Sequence, residues 1–151
     1  MSDEYRQWER RCETIRKENA TLLEEFGMWL SAQGIGAKSI KEHLGNVEFY
    51  INEYLLYDDA TRAADGWGGI DSFLGYWFIR KAMWASQASI RRTAASLKKF
   101  YAFMHEKGLV GKEGLEEVRE TIKCNMSDWL ATVRRYDDPS ITDSEEIWGL
   151  K

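Results

Sequence analysis

The chain has 151 residues, 44% apolar and 30% charged, which is room for one domain around one core. No apolar run approaches the roughly 20 residues of a membrane span, and the charged start MSDEYRQWERR lacks the apolar stretch of a secretion signal; a cytoplasmic protein that does not engage membranes is the expectation. A net charge of −4 argues against nucleic acid as a partner, unless that charge is unevenly spread.

Seven Trp, seven Tyr and six Phe supply large apolar surface, one proline interrupts the chain, and the Val/Ile/Thr runs of strands are missing. The expectation is an all-α fold. Tyr5, Trp8, Cys12 and Ile15 recur three and four apart and predict a helix over 3–18. The spacing continues through Asn19, Leu22, Phe26 and Trp29, which fits one long helix of coiled-coil character. The run Thr21–Glu24 has the form of a capping box, however, and favours a new helix near Thr21 that ends at Gly34–Gly36. A second helix is predicted from Ala37 to about Leu56, with Ile40, Leu44, Val47, Ile51 and Leu55 inward. Residues 57–69 are rich in turn formers. A third helix, about 71–83, is apolar nearly all round (Phe73, Leu74, Tyr76, Trp77, Phe78, Met83) and is expected to be buried on most sides. Ser86 is placed as the cap of a fourth helix that stops at Gly108, and a fifth covers about 113–135. Beyond Pro139 the tail is acidic, with one apolar cluster at Ile147, Trp148 and Leu150.

Chemistry-bearing residues are few. Cys12 and Cys124 form no CxxC and read as buried or half-buried free thiols. His43 and His105 start neither HxxH nor HExxH, so neither a metal nor another cofactor is expected. With two histidines and no glycine-rich phosphate loop, catalysis ranks last among the functions considered.

Charge is the informative feature. Residues 73–111 carry seven basic groups and one acidic, whereas the chain before them (1–72) and after them (112–151) is net negative. At about 100° per residue, Ile90, Ala94, Leu97, Tyr101 and Met104 of the fourth helix share a narrow inward arc. Arg91 and Lys98 lie on one flank, and Arg92 and Lys99 lie nearly opposite the core. Most charged helix faces are solvated and nothing more, but those usually mix signs to gain i,i+4 pairs, and this one does not. Ser86, Gln87 and Ser89 add small polar groups beside free N–H groups at the helix start, which suit a phosphate. Lys38, Ser39 and Lys41 repeat the pattern more weakly at the start of the second helix, diluted by Glu42 and Glu48.

Two segments carry a resemblance: LLEEFGMWLSAQGIGAKSIKEHLGNVEFYINEYL and IDSFLGYWFIRKAMWASQASIRRTAASLKKFYAFMHEKGLV. An apolar helix with a late aromatic-Leu pair leads through a short turn into Ser-Ile. Later a second Ser-Ile helix ends in aromatic-aromatic-x-Phe and a Gly-apolar-apolar turn. Residues 21–110 thus resemble the N-terminal core-binding (SAM-like) domain of tyrosine recombinases, the phage integrase family. The resemblance implies a four-helix bundle of two crossed hairpins, here with extra N-terminal and C-terminal helices. It divides the chain into an N-terminal helical extension (1–20), a core-binding domain (21–111), an additional helix (112–136) and an acidic tail (137–151). It implies a half-clamp on double-stranded DNA, of the kind used in DNA integration and recombination. The second and fourth helices would meet phosphates and the major groove through Lys38, Ser39, Lys41, Gln87, Ser89, Arg91, Arg92 and Lys99; Ser86 and Lys98 join the candidate contacts from the helix-start and charge readings above.

The chain departs from the family pattern in three ways. The Arg, Lys, His-x-x-Arg and Tyr of the catalytic domain are not present as a set, since His43 is followed by LGN and His105 by EKG. The Asn-Pro after the Gly turn is replaced by GKEGLEE, and acidic helices flank the basic one. A DNA-binding module without catalysis of its own is therefore expected, with a recombinase protomer or a second copy as a further partner through the terminal helices. The competing expectation is a protein-interaction or regulatory module of recombinase origin that no longer binds DNA. In that case the stripes of the first and last helices would be its working surfaces, unless they pack on each other or on the bundle.

Overall fold

A computed structural model describes residues 2–141, 147 and 148. Every regular element among them is helical, as the composition demands: α1 (Asp3–Ala32), α2 (Ala37–Glu48), α3 (Ile70–Ser72), α4 (Phe78–Lys81), α5 (Gln87–Glu106) and α6 (Lys112–Asp137). Two π-helical turns, Phe49–Tyr54 and Phe73–Trp77, and a 3-10 helix, Ala63–Gly68, complete the chain.

α1 starts where Ser2 Oγ accepts from Tyr5 N, with Asp3 and Glu4 at the positive end of the helix dipole. It then runs unbroken for 30 residues, about 45 Å, past the expected restart at Thr21. Thr21 is exposed and lies mid-helix, so its neighbouring N–H groups already have helical acceptors and a cap has nothing to satisfy. Continuous burial of Cys12, Ile15, Asn19, Phe26 and Leu30 overrides the local signal. Asn19 sits on this seam because its Nδ2 donates to the Ile51 carbonyl at 3.2 Å and to Asn52 Oδ1 at 2.8 Å. Gly34, at φ +84°, makes the left-handed turn that releases the chain toward α2.

The second expected helix is realised as α2 followed without interruption by the first π-turn. The third is realised as α3, the second π-turn and α4 over residues 70–81. Phe73, Leu74 and Phe78 are buried as expected, but Tyr76 and Met83 are not: Tyr76 is 47% exposed, and the helix stops at Lys81 and leaves Met83 99% exposed. Residues 57–69 are pinned from the core by two tyrosines. Tyr50 donates to the Gly66 carbonyl at 2.5 Å and Tyr101 to the Ala63 carbonyl at 2.9 Å. Burial pushes both phenols up, Tyr50 with help from Tyr101 and Tyr101 with help from Asp65, so both remain neutral donors.

α5 is the central helix and packs on α1, α2 and α6. Its buried face is accordingly wider than the arc read from the sequence: Thr93, Ser96, Phe100 and Phe103 are buried along with Ile90, Leu97 and Met104. Ser86 caps it as expected, within a reciprocal capping box in which Ser86 Oγ accepts from Ser89 N and Ser89 Oγ accepts from Ser86 N. Ser86→Ala is expected to cost about 1 kcal/mol and to lower the melting temperature by a few degrees, followed by circular dichroism. An unchanged melting curve would mean that this helix start contributes nothing to stability.

One hydrophobic cluster links Phe26 and Leu30 of α1 through α2 and α5 to Val118, Trp129 and Val133 of α6. The stripe of α6 is thus spent on the bundle. The stripe of α1 is spent from Cys12 onward. Its first turns lie beyond the neighbouring elements, with Tyr5 43% exposed and Trp8 packed at the margin of a small cluster of Cys12, Ile15 and Leu56. Trp148 rests on Tyr76 and Tyr136 of its own chain, at ring-centroid distances of 4.6 and 6.0 Å. Leu150 lies outside the described residues. Both cysteines are free, Cys12 buried and Cys124, against expectation, exposed.

Candidate nucleic-acid interface

With α5 buried over most of its circumference, a single strip of it reaches solvent. Arg91, Arg92, Ala95, Lys98 and Lys99 are its exposed members over the middle turns. The two basic pairs form the edges of the strip rather than a flank and a crest. Arg92 and Lys99 border α2, because Ser96, one turn from each, touches His43 and Asn46 there. Arg91 and Lys98 border the opposite side, where Gln87 donates to the Leu130 carbonyl of α6 at 3.2 Å. Each pair spans seven residues, about 10 Å along the axis. None of the four has a carboxylate within ion-pair distance among the described residues. Lys107, the fifth cation of the segment, is withdrawn from the strip by an ion pair with Glu25 of α1, and Glu106 accepts from Trp29 Nε1 at 2.8 Å.

The start of α5 is less open than the sequence suggests. Ser86 and Ser89 are occupied with each other, Ser89 is buried and also donates to the Trp84 carbonyl, and the Gln87 amide is engaged with α6. Asp137 and Asp138 line the same hollow as Ser86 and Gln87. A phosphate there would meet two carboxylates and few free donors. Lys38, Ser39 and Lys41 are exposed on the first turns of α2, whose N-cap is Gly36 and which has no side-chain cap. The contacts His43–Ser96 and Phe49–Trp84 run in opposite chain directions, so α2 and α5 are antiparallel and the start of α2 lies toward the Lys99 end of the strip.

His43 fits no ligand motif, and nothing in the sequence sets it apart. In the fold it stands in the seam between the two helices, its Nδ1 2.7 Å from Ser96 Oγ. Burial, and then the charge of Lys99, lowers its pKa, with Glu42 opposing. A histidine on the α5-facing edge of α2, one turn after Ser39, is the available signal, but which edge faces α5 is a tertiary fact.

Compared with protein-family models, with curated proteins and with solved structures, the chain gives no match in any of the three. Among the described residues no helix is long and apolar enough to cross a membrane.

Proposed function

We propose that the chain is a duplex-DNA-binding module that contacts the phosphate backbone through the exposed strip of α5, with the start of α2 beside it. The observation that carries the reading is the sign and freedom of that strip. All four of its long side chains are cationic and unpaired among the described residues, on a protein of net charge −4. A solvated face gains from mixed signs; a uniform one costs self-repulsion that an anionic partner relieves. Phosphate contacts of this kind bring affinity with little sequence preference. Arg91, Arg92, Lys98 and Lys99 are the principal contacts, with Lys38, Ser39 and Lys41 secondary. The resemblance of residues 21–110 to the core-binding domain of tyrosine recombinases supports the same pair of helices. On that reading α1–α2 and α4–α5 would be the two crossed hairpins, and the module would act in recombination or integration alongside a catalytic partner.

The test is a fluorescence-anisotropy titration of a random duplex of about 25–30 base pairs at low and near-physiological salt. Log affinity is expected to fall with log salt with a slope near −0.9 per phosphate engaged, hence about −4 for the strip alone. Absence of binding at low salt would overturn the reading and turn attention to the first turns of α1, around the exposed Tyr5, as a protein-binding surface.

A further inference from the structure

We infer that the seam between α2 and α5 is a proton-coupled phosphate site, in which His43 Nε2 meets a phosphate oxygen between Arg92 and Lys99. The inference rests on the DNA-binding reading above and names a contact in it.

The geometry begins at Ser96, which is fully buried yet polar. Its Oγ donates its one proton to the Arg92 carbonyl at 3.0 Å and accepts from Asn46 Nδ2 at 3.0 Å. We assign the 2.7 Å contact to a donor ring, Nδ1–H on Ser96 Oγ, the tautomer that leaves the hydroxyl proton for the Arg92 carbonyl; a protonated ring donates there as well. The neutral ring therefore carries its lone pair on Nε2. That atom has no partner among the described residues and is not one of the buried unpartnered atoms, so it faces solvent. Arg92 and Lys99 are exposed one turn before and one turn after Ser96 on the same helix, so both stand on the edge that the ring packs against, and the charge of Lys99 reaches the ring. Ser39, one turn before His43 on α2, adds an exposed hydroxyl on the same edge.

A neutral Nε2 is an acceptor and repels a phosphate oxygen; a protonated one is a donor and a third positive charge in the row. The charged groups that act on the ring are Lys99 from α5 and Glu42 from α2 itself. α1 packs on α2 through Gly27, against Leu44 and Ile40, and brings no charge to it. In the free protein, burial and Lys99 hold the ring neutral at pH 7. A bound phosphate neutralises Lys99 and hydrogen-bonds the imidazolium, so binding takes up a proton. The signs in the two states are opposite. Without ligand the unfolded chain protonates more readily, and lowering the pH through the ordinary imidazole range weakens folding; with phosphate bound, the same change strengthens the complex.

The experiment is the anisotropy titration repeated at pH 5.5, 6.5 and 7.5 at constant ionic strength, with the ring protons of His43 followed by NMR. Duplex DNA and inorganic phosphate are used as separate probes. Wild-type affinity for duplex is expected to rise up to about tenfold from pH 7.5 to 5.5, which is the gain when the ring binds its proton about ten times more tightly in the complex than in the free protein. His43→Asn keeps a donor at the Nδ1 position for Ser96, and His43→Gln places a neutral amide near Nε2. Both are expected to lose the rise. Duplex binding that is flat with pH, or a rise that survives in His43→Asn, overturns the inference and leaves the DNA reading standing. No duplex binding, with a His43 pKa raised by inorganic phosphate, keeps the site and overturns the DNA reading. No response to either probe overturns both.

Discussion

Replacing Arg91, Arg92, Lys98 and Lys99 together by Ala is expected to weaken duplex binding on the order of a hundredfold or more at low salt. It is also expected to flatten the salt dependence by roughly one log unit per cation removed. The four side chains stand on the exposed strip of α5 and pair with no carboxylate among the described residues, so no ion pair is lost with them. Alanine is the best helix former, and relief of like-charge repulsion acts in the same direction. The melting temperature should therefore stay or rise, and this separates loss of binding from loss of fold. An unfolded variant would mean the strip holds the bundle together. A folded variant with undiminished affinity would remove the strip from the interface. Ser86, Gln87 and Ser89 serve as the contrast, because their polar groups are already spent inside the chain.

The largest stability effect is expected at Trp129, which is 2% exposed and lies in the main core against Gly75. A Cβ at Gly75 would come within 2.9 Å of the Trp129 ring, so the indole is seated where only glycine leaves room. Its Nε1 donates to Asp71 Oδ1 at 2.8 Å. Trp129→Ala removes the largest buried side chain of α6 and is expected to cost about 3–5 kcal/mol. Against a total of about 5–15 kcal/mol, that is enough to lower the melting temperature by roughly 10 °C. Trp129→Phe keeps most of the apolar volume and is expected to cost less, about 1 kcal/mol from the lost hydrogen bond together with a cavity cost smaller than that of the Ala variant. Thermal or urea unfolding of the two variants gives the ranking. Equal and small effects would mean that α6 leans on the bundle without belonging to its core.

The class of the fold and most helix positions follow from local physics that sequence carries. Aromatic-rich helical spacing, one proline, Gly34 and Gly108 at positive φ, and Ser86 before a Ser-rich turn all act within a few residues of themselves. So does the concentration of charge on residues 73–111, because charge is counted without knowing neighbours. Where one local signal competed with long-range burial, burial decided. Thr21–Glu24 spells a cap, but the seam from Cys12 to Leu30 needs an unbroken helix. The width of the buried face of α5 depended on three neighbouring helices, which no periodicity within α5 reveals. The same reason hid the site: Gln87 looks free in the sequence, and only folding brings it the Leu130 carbonyl and sets Asp137 and Asp138 beside the same hollow. His43 looks idle in the sequence, and only the antiparallel packing of α2 on α5 sets it against Ser96, on the edge that carries Arg92 and Lys99. Residue types and local spacing determined that this chain is helical and where its positive charge is held; which of those charges stand free was decided by contacts between residues far apart in the chain.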